Sequence, residues 1–276
     1  MQQVQFSTHQ GVEMYEFGYA PIGKPLLTVY CYYLDGLLID TAQANAQRTV
    51  LRTLAEKPLQ QIALTHWHED HTGNVAALQA QHQPTIYAHP FTQQKVQQGF
   101  RVLPYERFLF GKIKPTNAAM QSFPAAIETD RYTLTPIATP GHSSDHHVFL
   151  EKQQGWLFSG DLYVGVKIKY FRKGEDIGQQ IASLEKVLQY DFDVLFCGHT
   201  PQRKGAKDCL RAKLHYFQDF YGTVLTYWQK GYPPKQIIRQ MKRKEIYWLK
   251  LLTFNDVSLQ HMITSVIESE QRKKKA

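Results

Sequence analysis

Between Thr65 and Asn74 the chain reads His66-Trp-His68-Glu-Asp70-His71-Thr-Gly73, directly after the apolar run Ile62-Ala-Leu64. No other stretch narrows the choice of fold so sharply. The apolar run predicts a strand, and the alanine-rich residues that follow Asn74 and stop before Pro84 predict a helix. Three histidines and an aspartate in the intervening loop are nitrogen and oxygen metal donors. Four-coordinate geometry strains so tight a loop if every donor faces one ion, so two adjacent ions suit the stretch better than one. A histidine-rich surface loop is the bland alternative, and it would hold for a lone histidine.

The rest of the chain repeats the same arrangement. Tyr132 to Thr139 predicts a strand running into Pro140-Gly141-His142, Trp156-Leu-Phe158 a hairpin arm ending at Gly160-Asp161, and Asp193 to Cys197 a strand ending at Gly198-His199. Singly, each His or Asp is more often structural. Together they are strand-end loops with a glycine beside each donor, where the backbone can turn tightly and side chains can converge.

On these residues the chain resembles the metallo-β-lactamase-fold hydrolases, over roughly residues 10 to 200. The resemblance implies an α/β fold, a four-layer αββα sandwich. It gives His66, His68 and His142 to a first metal, and Asp70, His71 and His199 to a second. Asp161 would bridge them, and Asp40, ending Leu-Leu-Ile-Asp, would orient the ligand loop. The cofactors implied are two zinc ions, with iron and manganese as alternatives. The function implied is hydrolysis by a metal-bridging hydroxide that attacks an ester, thioester, lactone or related bond of a small, anionic substrate, with Asp70 as the catalytic residue that orients it.

Within the family, His68 stands where flavodiiron oxidoreductases carry a glutamate, which disfavours the redox branch. Glyoxalase II-like enzymes follow the Gly-Asp step with a glutathione-binding lysine and tyrosine. Allowing a one-residue gap, Lys169 takes the lysine place as a substrate contact, and Phe171 stands for the tyrosine. A metal-dependent ribonuclease or phosphodiesterase is the first alternative and a mononuclear-iron persulfide dioxygenase-like oxidoreductase the second.

Residues 4 to 40 predict a β-meander with Asp35-Gly36 as a two-residue hairpin turn. A helix is expected from about Asn45, a cap residue. Residues 92 to 127, interrupted by Pro104, Pro115 and Pro124, read as irregular. Glu175 to Gln189 predicts an amphipathic helix. From Lys207 the pattern turns helical, so residues 1–206 read as the catalytic domain and 207–276 as a helical region with a basic tail.

The chain has 276 residues and a formal net charge of +8, much of it near the C-terminus. A solvated lysine tail accounts for that charge more simply than nucleic-acid binding, which stays the less favoured partner. Three cysteines without metal spacing, together with no signal-peptide or transmembrane pattern, point to a reducing, cytoplasmic setting away from membranes. The partners expected are a small-molecule substrate and, in the helical region, a second copy of the chain as a homodimer.

Overall fold

The structure is a computed structural model that describes residues 1–275. Its strands, in chain order, are β1 (Gln2–His9), β2 (Val12–Tyr19), β3 (Thr28–Leu34), β4 (Leu37–Ile39), β5 (Gln61–Ala63), β6 (Thr85–Tyr87), β7 (Met120–Gln121), β8 (Ile127–Glu128), β9 (Thr133–Ala138), β10 (His147–Glu151), β11 (Trp156–Gly160), β12 (Phe171–Arg172), β13 (Val194–Cys197) and β14 (Val257–Ser258). The helices are α1 (Gln47–Leu54), α2 (Glu69–Thr72), α3 (Val75–His82), α4 (Pro90–Gln98), α5 (Pro104–Phe110), α6 (Ile177–Val187), α7 (Ala206–Gln229), α8 (Pro234–Gln240), α9 (Tyr247–Leu252) and α10 (Leu259–Lys273).

β1 to β7 form one seven-stranded sheet in sequence order, and a second five-stranded sheet runs β13-β11-β10-β9-β8. The first four strands are antiparallel, as the meander pattern predicts. Asp35 and Gly36 both have positive φ, the requirement of the tight turn read from the sequence. From β4 onward the first sheet is parallel, with helical crossovers.

Three separate apolar cores lie between four layers, which is the αββα sandwich. Phe17, Val29, Leu38 and Ile62 on the outer face of the first sheet pack with Val50, Leu54 and Leu78 of α1 and α3. Met14, Tyr32, Leu37 and Ile39 meet Phe149, Trp156, Phe158 and Phe196 between the sheets. Val148, Leu157 and Leu195 on the far face of the second sheet pack with Ile177, Leu184, Phe217 and Met262. Burial of such side chains stabilises by about 1.5–3 kcal/mol each.

Two expectations need correction. Asn45 does not cap a helix: a single 3-10 turn occupies Ala44–Ala46, and the Asn45 amide donates to the Leu109 carbonyl at 2.6 Å. The 92–127 segment is not irregular throughout. α4 fills its start, and Pro104 begins α5 instead of breaking an element, since a proline at the first helical position loses no hydrogen bond.

The helical region set apart at 207–276 shares one core with the second sheet and α6. β14 pairs with β12, and the Ser265 hydroxyl accepts from Ile177 N at 2.9 Å. The lysine-rich end extends α10 through Lys273, whose ammonium bonds Glu270 at 3.0 Å. No described helix is long and apolar enough to cross a membrane.

Candidate metal centre

Asp40, the 66–71 loop, His142, Asp161 and His199 all leave the C-terminal ends of strands, β4, β5, β9, β11 and β13 respectively. The two sheets therefore deliver them to one shared rim. Gly198 shows how closely the loops approach, since a Cβ there would stand 2.5 Å from Asp161 Oδ1 and 2.9 Å from His71 Cε1. Gly141 has φ +135°, and a Cβ there would collide with the backbone of Gln180.

Three ring nitrogens form the first cluster. His68 Nδ1 lies 3.0 Å from His66 Nε2 and 3.0 Å from His142 Nε2. Carboxylates dominate the second. Asp70 Oδ2 stands 3.7 Å from His71 Nε2 and 3.4 Å from His199 Nε2. Asp161 faces both: its Oδ1 is 3.4 Å from His71 Nε2 and 3.5 Å from His199 Nε2, and its Oδ2 is 3.4 Å from His142 Nε2.

Hydrogen bonds behind the rings fix which nitrogen faces the site. His71 Nδ1 donates to Asp40 Oδ2 at 2.7 Å, His199 Nδ1 to the Thr28 carbonyl at 2.7 Å, and His142 Nδ1 to Glu175 Oε2 at 3.2 Å. The Thr65 hydroxyl donates to Asp40 at 2.8 Å and accepts from His66 Nδ1 at 3.0 Å. Each of these four rings thus turns an unprotonated Nε2 inward when neutral, the form that binds a metal.

That convergence is electrostatically incomplete without a cation. His68 Nδ1 can donate one proton to one neighbour, which leaves another pair of lone pairs facing each other at 3.0 Å. His71 Nε2 and Asp161 Oδ1 are buried without a hydrogen-bond partner. The donors also group as metal clusters: His66, His68 and His142; His66, His71 and Asp161; and Asp70, His71 and His199. These residues fit divalent metal.

Proton affinity differs between the halves. Burial holds His66 and His68 well below the usual histidine range. For His71 burial acts in the same direction, but the Asp70, Asp161 and Asp40 carboxylates outweigh it and raise it well above that range. His199 likewise overcomes burial through Asp161 and Asp70 and rises to about 9. Asp161, despite its burial, is drawn well below the usual carboxylate range by His199 and His71.

A family profile for the metallo-beta-lactamase superfamily matches residues 25–199. The chain belongs to that superfamily. Among its relatives, a protein of Emericella nidulans named thioesterase pkgB is 32% identical over 167 residues, 59% of this chain and 42% of that protein. An atrochrysone carboxyl ACP thioesterase of Aspergillus fumigatus is 26% identical over 180 residues, 60% of this chain and 47% of that protein. This metallo-beta-lactamase superfamily chain therefore spans about half the length of the curated relatives it matches. A crystal structure of a metallo-beta-lactamase family protein from Thermus thermophilus shares the fold, with TM-score 0.67 and 18% identity over 96% of this chain and 94% of that one.

The structure brings all seven candidate ligands together, with Asp40 behind them. Lys169 goes elsewhere. The metal centre opens into a cavity of about 530 Å³ that Ile168, Tyr170 and Arg172 line but Lys169 does not. Lys169 lines a neighbouring cavity with Lys167, Tyr216 and Arg243. Cys197 is a buried packing thiol, pushed up to about 11 by its burial.

Sequence reasoning missed Glu175, which anchors His142, and Thr65. Also missed is His146, whose Nε2 accepts from Asp161 N at 3.1 Å and so holds a ligand's backbone. The guanidinium of Arg172 was missed as a tie. It meets Glu69 at 3.2 Å, Asp256 at 3.2 Å, and Glu106, joining the ligand loop to α5 and the C-terminal region.

Proposed function

We propose that the protein is a metal-dependent hydrolase of small acyl substrates, with thioesters first and other esters or lactones next. The observation that carries this reading is the convergence of seven metal donors, four of their rings pinned from behind, at the wall of a cavity large enough for a small acyl compound. The two thioesterase names among the relatives support the thioester choice. The same reading makes the partner a small molecule. The three free cysteines support a cytoplasmic setting.

His66, His68 and His142 would hold one ion and Asp70, His71 and His199 the other, with Asp161 between them. Nitrogen and oxygen donors of this kind suit zinc, and metal analysis separates it from iron and manganese. Bound divalent ions supply Lewis acidity to a carbonyl oxygen and make water more acidic. The chain's own residues do the rest. Leu26, Leu27, Leu109, Phe110, Val164 and Ile168 give the cavity apolar walls for an acyl chain. Asp70 lines the same cavity, and its carboxylate orients the attacking water, takes up its proton and passes it to the leaving thiolate. Asp40, Glu175 and the Thr28 carbonyl keep the ligand rings in place.

The test is a panel of acyl thioesters, aryl esters, lactones and bis-p-nitrophenyl phosphate, assayed with zinc-, iron- and manganese-loaded protein. Fastest turnover of a thioester, abolished by chelation, supports the reading. Phosphodiester turnover alone, or thioester turnover that survives complete chelation, contradicts it.

A further inference from the structure

Two cationic side chains line the metal cavity, Arg172 and Lys213, and their circumstances are opposite. Arg172 is paired with the carboxylates of Glu69, Glu106 and Asp256. Lys213, on α7, is only 1% exposed and has no carboxylate partner among the described residues. Its ammonium donates one hydrogen bond, to the Leu162 carbonyl at 2.7 Å, and stands 5.1 Å from the centre of the Phe217 ring. An ammonium has three N–H donors, so a single carbonyl leaves it underserved.

Burying such a group is costly, because burial strips its water. The cost shows in its proton affinity: burial pulls Lys213 down to about 8, against the pull of Glu175 and Asp161. Those two carboxylates are committed elsewhere. Glu175 Oε2 accepts from His142 and from Gln180 at 2.9 Å, and its Oε1 accepts from Arg172 N at 2.8 Å. Asp161 faces His71, His142 and His199. Methionine or leucine would pack more cheaply beside Leu210, Leu214 and Phe217 if packing were the only task of this position.

We propose that Lys213 is an anion subsite of the metal cavity and that the acyl group hydrolysed there carries a carboxylate seated against Lys213 Nζ. The inference rests on the hydrolase reading and names its substrate class. A single carboxylate suits one lysine. A phosphate dianion would call for more positive charge, and the charge of Arg172 is already met by three carboxylates. The apolar walls then hold the carbon chain between the scissile carbonyl and the distal carboxylate. Lys213 thus lines the metal cavity, which Lys169, the substrate contact that the resemblance implies, does not.

The malonyl and isovaleryl thioesters of N-acetylcysteamine differ in charge but little in shape, and they test this directly. Wild-type protein is expected to favour the malonyl substrate in kcat/KM by roughly ten- to one-hundredfold, the worth of a charged hydrogen bond. Lys213→Met should remove that preference through KM, and Lys213→Arg should restore part of it. Equal use of both thioesters by the wild type, or an equal loss on both in the variant, overturns the subsite whether or not the variant is stable. Calorimetric titration with methanesulfonate, a monoanion that ligates zinc poorly, supplies a second readout. Binding lost in Lys213→Met supports the subsite, and unchanged binding contradicts it. Failure to hydrolyse either thioester while methanesulfonate binding still depends on Lys213 would overturn the hydrolase reading and keep the anion site.

Discussion

The two halves of the metal centre are built from different material. The first is three imidazoles, two of them held neutral by burial before any ion arrives. The second sets Asp70 and Asp161 against His71 and His199, and those carboxylates raise the proton affinity of both rings. A proton and a metal ion compete for the same lone pair. The first half is therefore poised for metal at neutral pH, whereas the second must give up protons first. One rim of strand ends thus carries two donor groups of unequal character, set by the carboxylate count and not by the fold.

Removing one ligand from each half separates the two most sharply. His142→Ala should lose about one ion per chain from the first half, and His199→Ala about one from the second. Both should drop thioester hydrolysis to background, which plasma emission analysis and a thiol-release assay would check. Loss of both ions in either variant would mean that the halves do not act separately.

Smaller effects come from the groups behind the ligands. Asp40→Ala frees His71 and should weaken metal binding by roughly ten- to one-hundredfold, mainly in the second half. Glu175→Gln keeps the shape beside His142 and should cost the first half about tenfold or less. Competition with a fluorescent zinc chelator measures both. Equal effects on the two halves would remove the distinction between them.

The smallest effect is on the stability of the metal-free chain. His71 and His199 have raised values in the fold, so their contribution is complete below about pH 6.5 and is lost as pH rises, that of His199 by about 9. Glu69, raised to about 7 by burial, acts in the same direction up to that pH. His66 and His68, lowered by burial, contribute fully above about pH 6.5 and so leave the slope above that pH unchanged. Lys213 opposes the trend only above about 8. Between pH 6.5 and 8 the melting temperature of chelated protein should fall by a few degrees, about what 1 kcal/mol shifts in a chain of this size. Zinc-loaded protein should show the opposite slope.

Much of the centre was legible because each ligand follows an apolar strand and stands beside a glycine, a local pattern. Lys169 was misplaced for an equally local reason. Allowing a one-residue gap shifts the phase of an extended segment, and successive side chains there face opposite ways. Ile168 and Arg172 turn to the metal cavity, while Lys167 and Lys169 turn to the neighbouring one.

The ties made by Glu175 and Arg172 could not be read, since their partners come from distant elements. Lys213 did leave a trace: it interrupts the apolar face of α7 between Leu210 and Phe217, where a lysine is rarely fully buried. α5 was hidden by Pro104, which starts a helix as readily as it ends one.

The central claim is that seven side chains from the ends of four strands hold two divalent ions. Equilibrium dialysis of chelated protein against zinc at pH 8, with the bound metal counted per chain, tests it most directly. The account predicts about two ions per chain in the wild type and none in a His66→Ala, His142→Ala, His199→Ala triple variant that keeps its circular dichroism spectrum. Less than one ion in the wild type, or binding unchanged in the variant, would contradict it.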